Sequence, residues 1–163
     1  MPLTETPLTL FGENTPRAII YKHESHKLHQ AFAVKVTEGV MENIYQGQPV
    51  KLNSDGTISK YTGASGEIYL GIAVTDSPTP AYAAQRGYPV EVTVMVQGFC
   101  IINAVAKAAL SPGWVTVDSG NTLNNYFSVF KASVDGSNNP VASNFIALNS
   151  ASAANDVIQV LVK

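Results

Sequence analysis

Val90-Glu91-Val92-Thr93-Val94-Met95-Val96 sets a valine at every second position, the period of a half-buried β-strand. Val157–Val162 alternates in the same way near the end of the chain. Shorter apolar runs predict further strands at Ala18–Tyr21, Ala31–Val36, Val50–Leu52, Thr57–Ser59, Tyr69–Val74, Phe99–Asn103, Trp114–Val117, Tyr126–Phe130 and Phe145–Leu148. Asn53-Ser54-Asp55-Gly56 joins two of these runs and reads as a hairpin turn, with a glycine available for positive φ. Helix is scarce. Ala81–Arg86 ahead of Gly87 suits one or two turns with a glycine C-cap, and Val105–Leu110 has helix-forming composition. Turn residues space the strands as in a β-sandwich or barrel. The pattern therefore predicts an all-β protein, a small β-barrel or β-sandwich with one or two short helices.

The strands also repeat. Val50–Tyr61 aligns without gaps on Val115–Tyr126, with Val, Ser, Thr and Tyr identical. Each copy leads to a second shared phrase, Gly71-Ile72-Ala73-Val74 or Phe145-Ile146-Ala147-Leu148, and then to an alternating strand, Val92–Val96 or Ile158–Val162. Three matches in one order predict two similar β units, spanning 39–98 and 104–163, packed as one barrel or as two lobes. On this alignment the counterpart of Val105–Leu110 is Val40–Tyr45. The copies differ in length within Thr75–Pro80 and Val134–Pro140, which are expected to be exposed loops because insertions in repeats collect at the surface.

Residues 1–17 read differently. Pro2, Pro7 and Pro16 punctuate a Thr-rich stretch in which Leu3, Leu8, Leu10 and Phe11 are the apolar positions. Proline disfavours helix and central strand alike, so this segment is expected to be an extended arm preceding a β domain at 18–163. Charged residues make up only 13% of the chain, against roughly 25% in an ordinary soluble domain, and neutral polar residues replace them. Such a surface suits prolonged contact with partners, because charge is what interface cores lack. The net charge is −2 and no basic run occurs, so nucleic acid is not an expected partner. No apolar stretch approaches the ~18 residues of a membrane span, and the N-terminus lacks the pattern of a signal peptide. The single cysteine, Cys100, sits in an apolar run and reads as a buried thiol of a chain that folds in a reducing cytosol.

Candidate chemistry is sparse. His23, His26 and His29 cluster beside Glu24, and a three-residue spacing would place imidazoles on one face of a helical turn able to hold Zn²⁺ or Ni²⁺. The spacing matches no structural zinc pattern and the segment joins two strands, so a polar connection is expected and no metal or other cofactor. No nucleophile arrangement, paired carboxylates or Gly-rich phosphate loop stands out, so no enzyme activity is expected. Trp114, at a strand start after Pro112-Gly113, reads as a core or interface anchor.

The ordered combination Gly47-Gln48-Pro49-Val50, a hairpin ending in Asp55-Gly56, Gly71-Ile72-Ala73, and Val90–Val94 up to Gly98, followed by a looser second round from Pro112 to Val162, resembles the capsid cement or head decoration proteins of tailed bacteriophages. The resemblance covers roughly 39–163 and rests on generic strand and turn residues. It implies a small, often trimeric β protein on the outside of an expanded head, made in the host cytoplasm, which clamps neighbouring major capsid subunits. Under that implication the arm, Pro2, Leu3, Thr4, Glu5, Thr6, Pro7, Leu8, Thr9 and Leu10, is the expected capsid contact, adding to an exposed strand by β-augmentation. The alternative is another virion or surface β module, such as a head-fibre base, a tail component or a carbohydrate-binding domain.

Overall fold

A computed structural model describes residues 19–22, 28–78, 80–87, 90–118 and 127–163. The expected arm contacts, Pro2 to Leu10, lie outside them, as do His23 and His26. The described chain is nearly all β. β1 (Ile19–Lys22) comes first. A first unit follows: β2 (Leu28–Ala33), β3 (Val36–Thr37), β4 (Val40–Met41), β5 (Pro49–Leu52), β6 (Ile58–Lys60), β7 (Ile68–Ala73), α1 (Pro80–Arg86) and β8 (Glu91–Gln97). The second unit is β9 (Cys100–Ala106), β10 (Gly113–Val117), β11 (Val129–Ala132), β12 (Phe145–Ala147) and β13 (Val157–Val162).

The two units share one hydrogen-bonding scheme. The first sheet runs β2-β8-β7-β5-β6; in the second, β9-β13-β12-β10-β11 follows the same order and closes, because β11 pairs with β9 in parallel. The first unit closes through a single parallel bridge, Val34 to Ile58. Registers agree pair by pair. Val50 faces Gly71 as Val115 faces Phe145, and Ile72 faces Met95 as Ile146 faces Leu161. Gln30 faces Val94 as Ile102 faces Val160. Connecting bonds repeat as well. The Val34 amide donates to the Val90 carbonyl at 2.8 Å as Ala106 does to Asp156 at 2.9 Å. The Lys35 amide donates to Ile58 at 3.0 Å as Lys107 does to Phe130 at 2.8 Å, and Tyr61 donates to Pro49 at 3.0 Å as Ser133 does to Trp114 at 2.9 Å. Each unit therefore begins with a strand, β2 or β9, that lies ahead of the repeated phrases.

This scheme corrects the ungapped alignment. β5 corresponds to β10 as expected, but Ile58 corresponds to Phe130 and not to Leu123. The second hairpin is longer, and the chance likeness of Thr57-Ile58 to Thr122-Leu123 hid the insertion. The helix suggested at Val105–Leu110 is also overturned. Val105 and Ala106 end β9, where Val105 pairs with both β13 and β11 and Ala106 pairs with β11, and that ladder outweighs alanine's helix preference. Val40–Tyr45, aligned with it in the sequence, starts as β4 and continues without helix, while the structural match of Ala106 and Lys107 is Val34 and Lys35. α1 forms where Ala81–Arg86 predicted it, with Gly87 at φ +83° supplying the left-handed residue that ends it. The loop after β7 is not wholly exposed: Ser77 is buried, its hydroxyl accepting from the Ile44 amide at 2.9 Å and its own amide donating to the Ile44 carbonyl at 2.7 Å.

Two main cores result. In the first unit Val34, Val50, Ile58, Ala73, Val92 and Val94 point inward, and the β3–β4 hairpin and α1 cover them with Met41, Ile44 and Ala83. The second core is larger and includes Val115, Phe130, Phe145, Ile158 and Val160 from the second unit. It also takes in Ile72 and Met95 of the first unit, with Tyr61 and Tyr69 packed against it. Phe145, Cys100 and Val162 lie at one end of their strands. The first unit thus caps that end of the second barrel, and the fully buried Cys100 belongs to the seam.

Candidate functional site

The sites that chemistry would favour are occupied by structural tasks. An open cleft of about 250 Å³ is lined by Lys35, Thr37, Val40, Met41, Glu42 and Ser59. It brings together an amine, a carboxylate and a hydroxyl. One Glu42 carboxylate oxygen already accepts from the Lys60 amide at 3.2 Å, and the Ser59 hydroxyl accepts from Asn53 Nδ2 at 3.0 Å. No histidine lines the cleft. Burial pushes the nearby Lys60 amine below the usual lysine range, with Glu42 opposing the shift.

The exposed aspartates serve as turn staples. Asp135 accepts from the amides of Asn139 and Ser137 at 2.9 and 2.8 Å, and Asp156 accepts from the Ser152 hydroxyl and amide, both at 2.8 Å, and from the Ala153 amide at 3.0 Å. These bonds hold both carboxyls below the ordinary aspartate range, as Thr57 does for Asp55. Asp118 is buried between Lys107 Nζ at 3.0 Å and Lys131 Nζ at 3.4 Å. The matching positions in the first unit are Asn53, Lys35 and Ser59, so a neutral Asn53–Ser59 hydrogen bond stands where the second unit has the Asp118–Lys131 ion pair.

His29 does not continue a helical turn. It lies in β2, exposed, opposite Met95. Among the described residues no group of three or more His, Cys, Asp or Glu side chains is placed to hold a metal ion. No described helix is long and apolar enough to cross a membrane. Trp114 is half-buried, with Lys163 Nζ 4.5 Å from its ring centroid.

What remains for recognition is surface. Tyr61 and Tyr69 are turned inward: Tyr69 stands edge-on to Phe145 at 5.2 Å and to Tyr61 at 5.4 Å. Burial raises both phenol pKa values above the ordinary tyrosine value. Three large exposed apolar side chains lie on strand ends of the first unit. Leu28 begins β2, Ile68 begins β7 and Phe99 follows β8, so all three lie at one end of that unit's sheet, 52%, 61% and 59% exposed. The repeat alignment hid the inward tyrosines by matching Tyr61 to Tyr126; its structural counterpart is Ser133. The exposed strand end had a visible signal in Leu28 beside an uncharged run, but no period marked which edge would be free. Neither a scan of protein-family models nor a search of curated proteins finds a match to the chain.

Proposed function

We propose that the protein is a non-enzymatic cement protein of a tailed-bacteriophage head, bound to the outside of the shell and bridging major capsid subunits, with self-association into a trimer. The observation that supports this most is where the family-like phrases fall. Gly47–Val50, Gly71-Ile72-Ala73 and Val90–Val94 lie on or beside β5, β7 and β8, three neighbouring strands of one unit, and the second round repeats their registers. The phrases are thus one folded β unit used twice, in a chain of low charge. Many symmetric copies on a shell would make modest contacts add up, since each bridges several subunits. An arm rich in proline and leucine would add contacts of its own; ordering it costs roughly 1–2 kcal/mol per residue in backbone entropy, so its leucines must be buried and its backbone paired on binding.

The test is sedimentation with heads of the phage that encodes the chain. The purified protein is expected to co-sediment with expanded heads and to stay in the supernatant with unexpanded ones. Removal of residues 1–12 is expected to leave the circular-dichroism spectrum and melting unchanged while abolishing co-sedimentation. Full occupancy by the truncated protein would end the role given to the arm, and absence of binding by the intact chain would end the cement assignment.

A further inference from the structure

The shared scheme of the two units breaks at one edge. β9 pairs with β13 along 100–105, which leaves its other edge to two strands: β11 takes Val105 and Ala106, and β1 takes 100–102, with Lys22 opposite Cys100 and Tyr21 opposite Ile101. β2 is its counterpart in the first unit. β8 covers one edge of β2 along 28–33, and the bridge from Val34 to Ile58 fixes the far end of the other, as β11 does for β9. Along Leu28–Phe32 no described strand fills the place that β1 fills on β9.

Three observations mark this edge as a binding surface. Leu28, His29, Gln30 and Ala31 are all exposed, whereas Cys100, Ile102 and Asn103, at the positions of Leu28, Gln30 and Ala31, are buried. The edge from Leu28 to Phe32 carries no lysine, glutamate, aspartate, arginine or proline, the residues that natural sheets place on edges to block pairing. Leu28, 52% exposed, leaves apolar surface on the edge strand itself.

We propose that the free edge of β2 accepts one extended, uncharged strand from a capsid subunit, running antiparallel to β2 as β1 runs on β9, with an apolar residue seated against Leu28. The capsid as donor rests on the function proposed above; the acceptor edge stands on the comparison of the two units. Main-chain hydrogen bonds supply the affinity and the Leu28 contact sets the register. The protein would then exchange strands in both directions with the shell, giving its arm and receiving on β2.

Hydrogen exchange on the full chain, free and bound to expanded heads, tests this. Those amides of 28–32 that point away from β8 are expected to gain protection on binding, while those of 100–102, already paired with β1, are unchanged. Ala31→Lys, at an exposed position, is expected to weaken head binding about tenfold without altering the melting temperature. Normal binding with no gain of protection at 28–32 and a silent Ala31→Lys would overturn the acceptor edge and leave the cement assignment standing. A change in the self-association of the free protein caused by Ala31→Lys would make a second copy the occupant and overturn the capsid donor. Failure of the intact chain to bind heads would overturn the donor together with the cement assignment.

Discussion

The first and second units run one backbone plan with different fillings. Where the first places Val34 against Ile58, the second places Ala106 against Phe130, so a larger ring is matched by a smaller neighbour across the closing bridge. Gly71 stands where the second unit has Phe145. A Cβ on Gly71 would run into the Met95 carbonyl oxygen, so β7 approaches β8 there only because the side chain is missing. Phe145 fills its barrel instead, touching Phe130 at 5.1 Å between ring centroids and meeting Tyr69 across the seam. The ladder of main-chain bonds is therefore compatible with several interiors. The side chains that differ most are those at the seam, where the units do different jobs: one presents Ile72 and Met95 outward as a cap, and the other receives it.

Phe145→Ala should be the most damaging single change, since it opens both the second barrel and the seam. A loss of about 3–5 kcal/mol in urea unfolding is expected. A loss no larger than that of Ile58→Ala in the first unit's core would mean the seam carries little. Gly71→Ala comes next, at about 1–3 kcal/mol, because β7 must shift from β8 to clear the added carbon. Phe130→Ile should cost about 1–2 kcal/mol, and adding Ala106→Val should return part of it; strictly additive effects would show that the two positions do not trade volume. Asp118→Asn should be the mildest, at less than about 1 kcal/mol, since its lysine partners are half-exposed and Asn53 fills the same place in the first unit.

Glu67 gives the comparison a pH axis. Burial alone would raise its pKa, but the Lys51 ion pair and the Thr62 amide and hydroxyl bonds win and hold the carboxyl below the usual glutamate value. A depressed folded pKa contributes stability above the unfolded value and loses it as pH falls through the folded one. Thermal melts should therefore show Glu67→Gln closest to the parent protein in acid and furthest from it at neutral pH.

Much of this plan could be read from the chain. The alternation at Val90–Val96 located β8 within a residue, and Val157–Val162 located β13. A strand's period survives because one face is buried whatever its neighbours are. The helix composition at Val105–Leu110 misled because local preference is worth tenths of a kcal/mol per residue, less than a ladder on both edges of β9. The hairpin insertion between β10 and β11 escaped because short Asx-Gly turns resemble one another. The surfaces were the least legible. Whether a strand edge is free depends on which distant segment reaches it, and nothing in Leu28–Ala33 or in Cys100–Ala106 says that β1 will choose the second.

That choice has a consequence for synthesis. β1 is the earliest described segment to leave the ribosome, yet its partner β9 is made only after the whole first unit. The first barrel can close while β1 still waits, and the seam between units cannot set until the second barrel emerges to meet Ile72 and Met95. β1 thus waits unpaired through the making of the whole first unit, a clasp that can fasten only once β9 has been delivered.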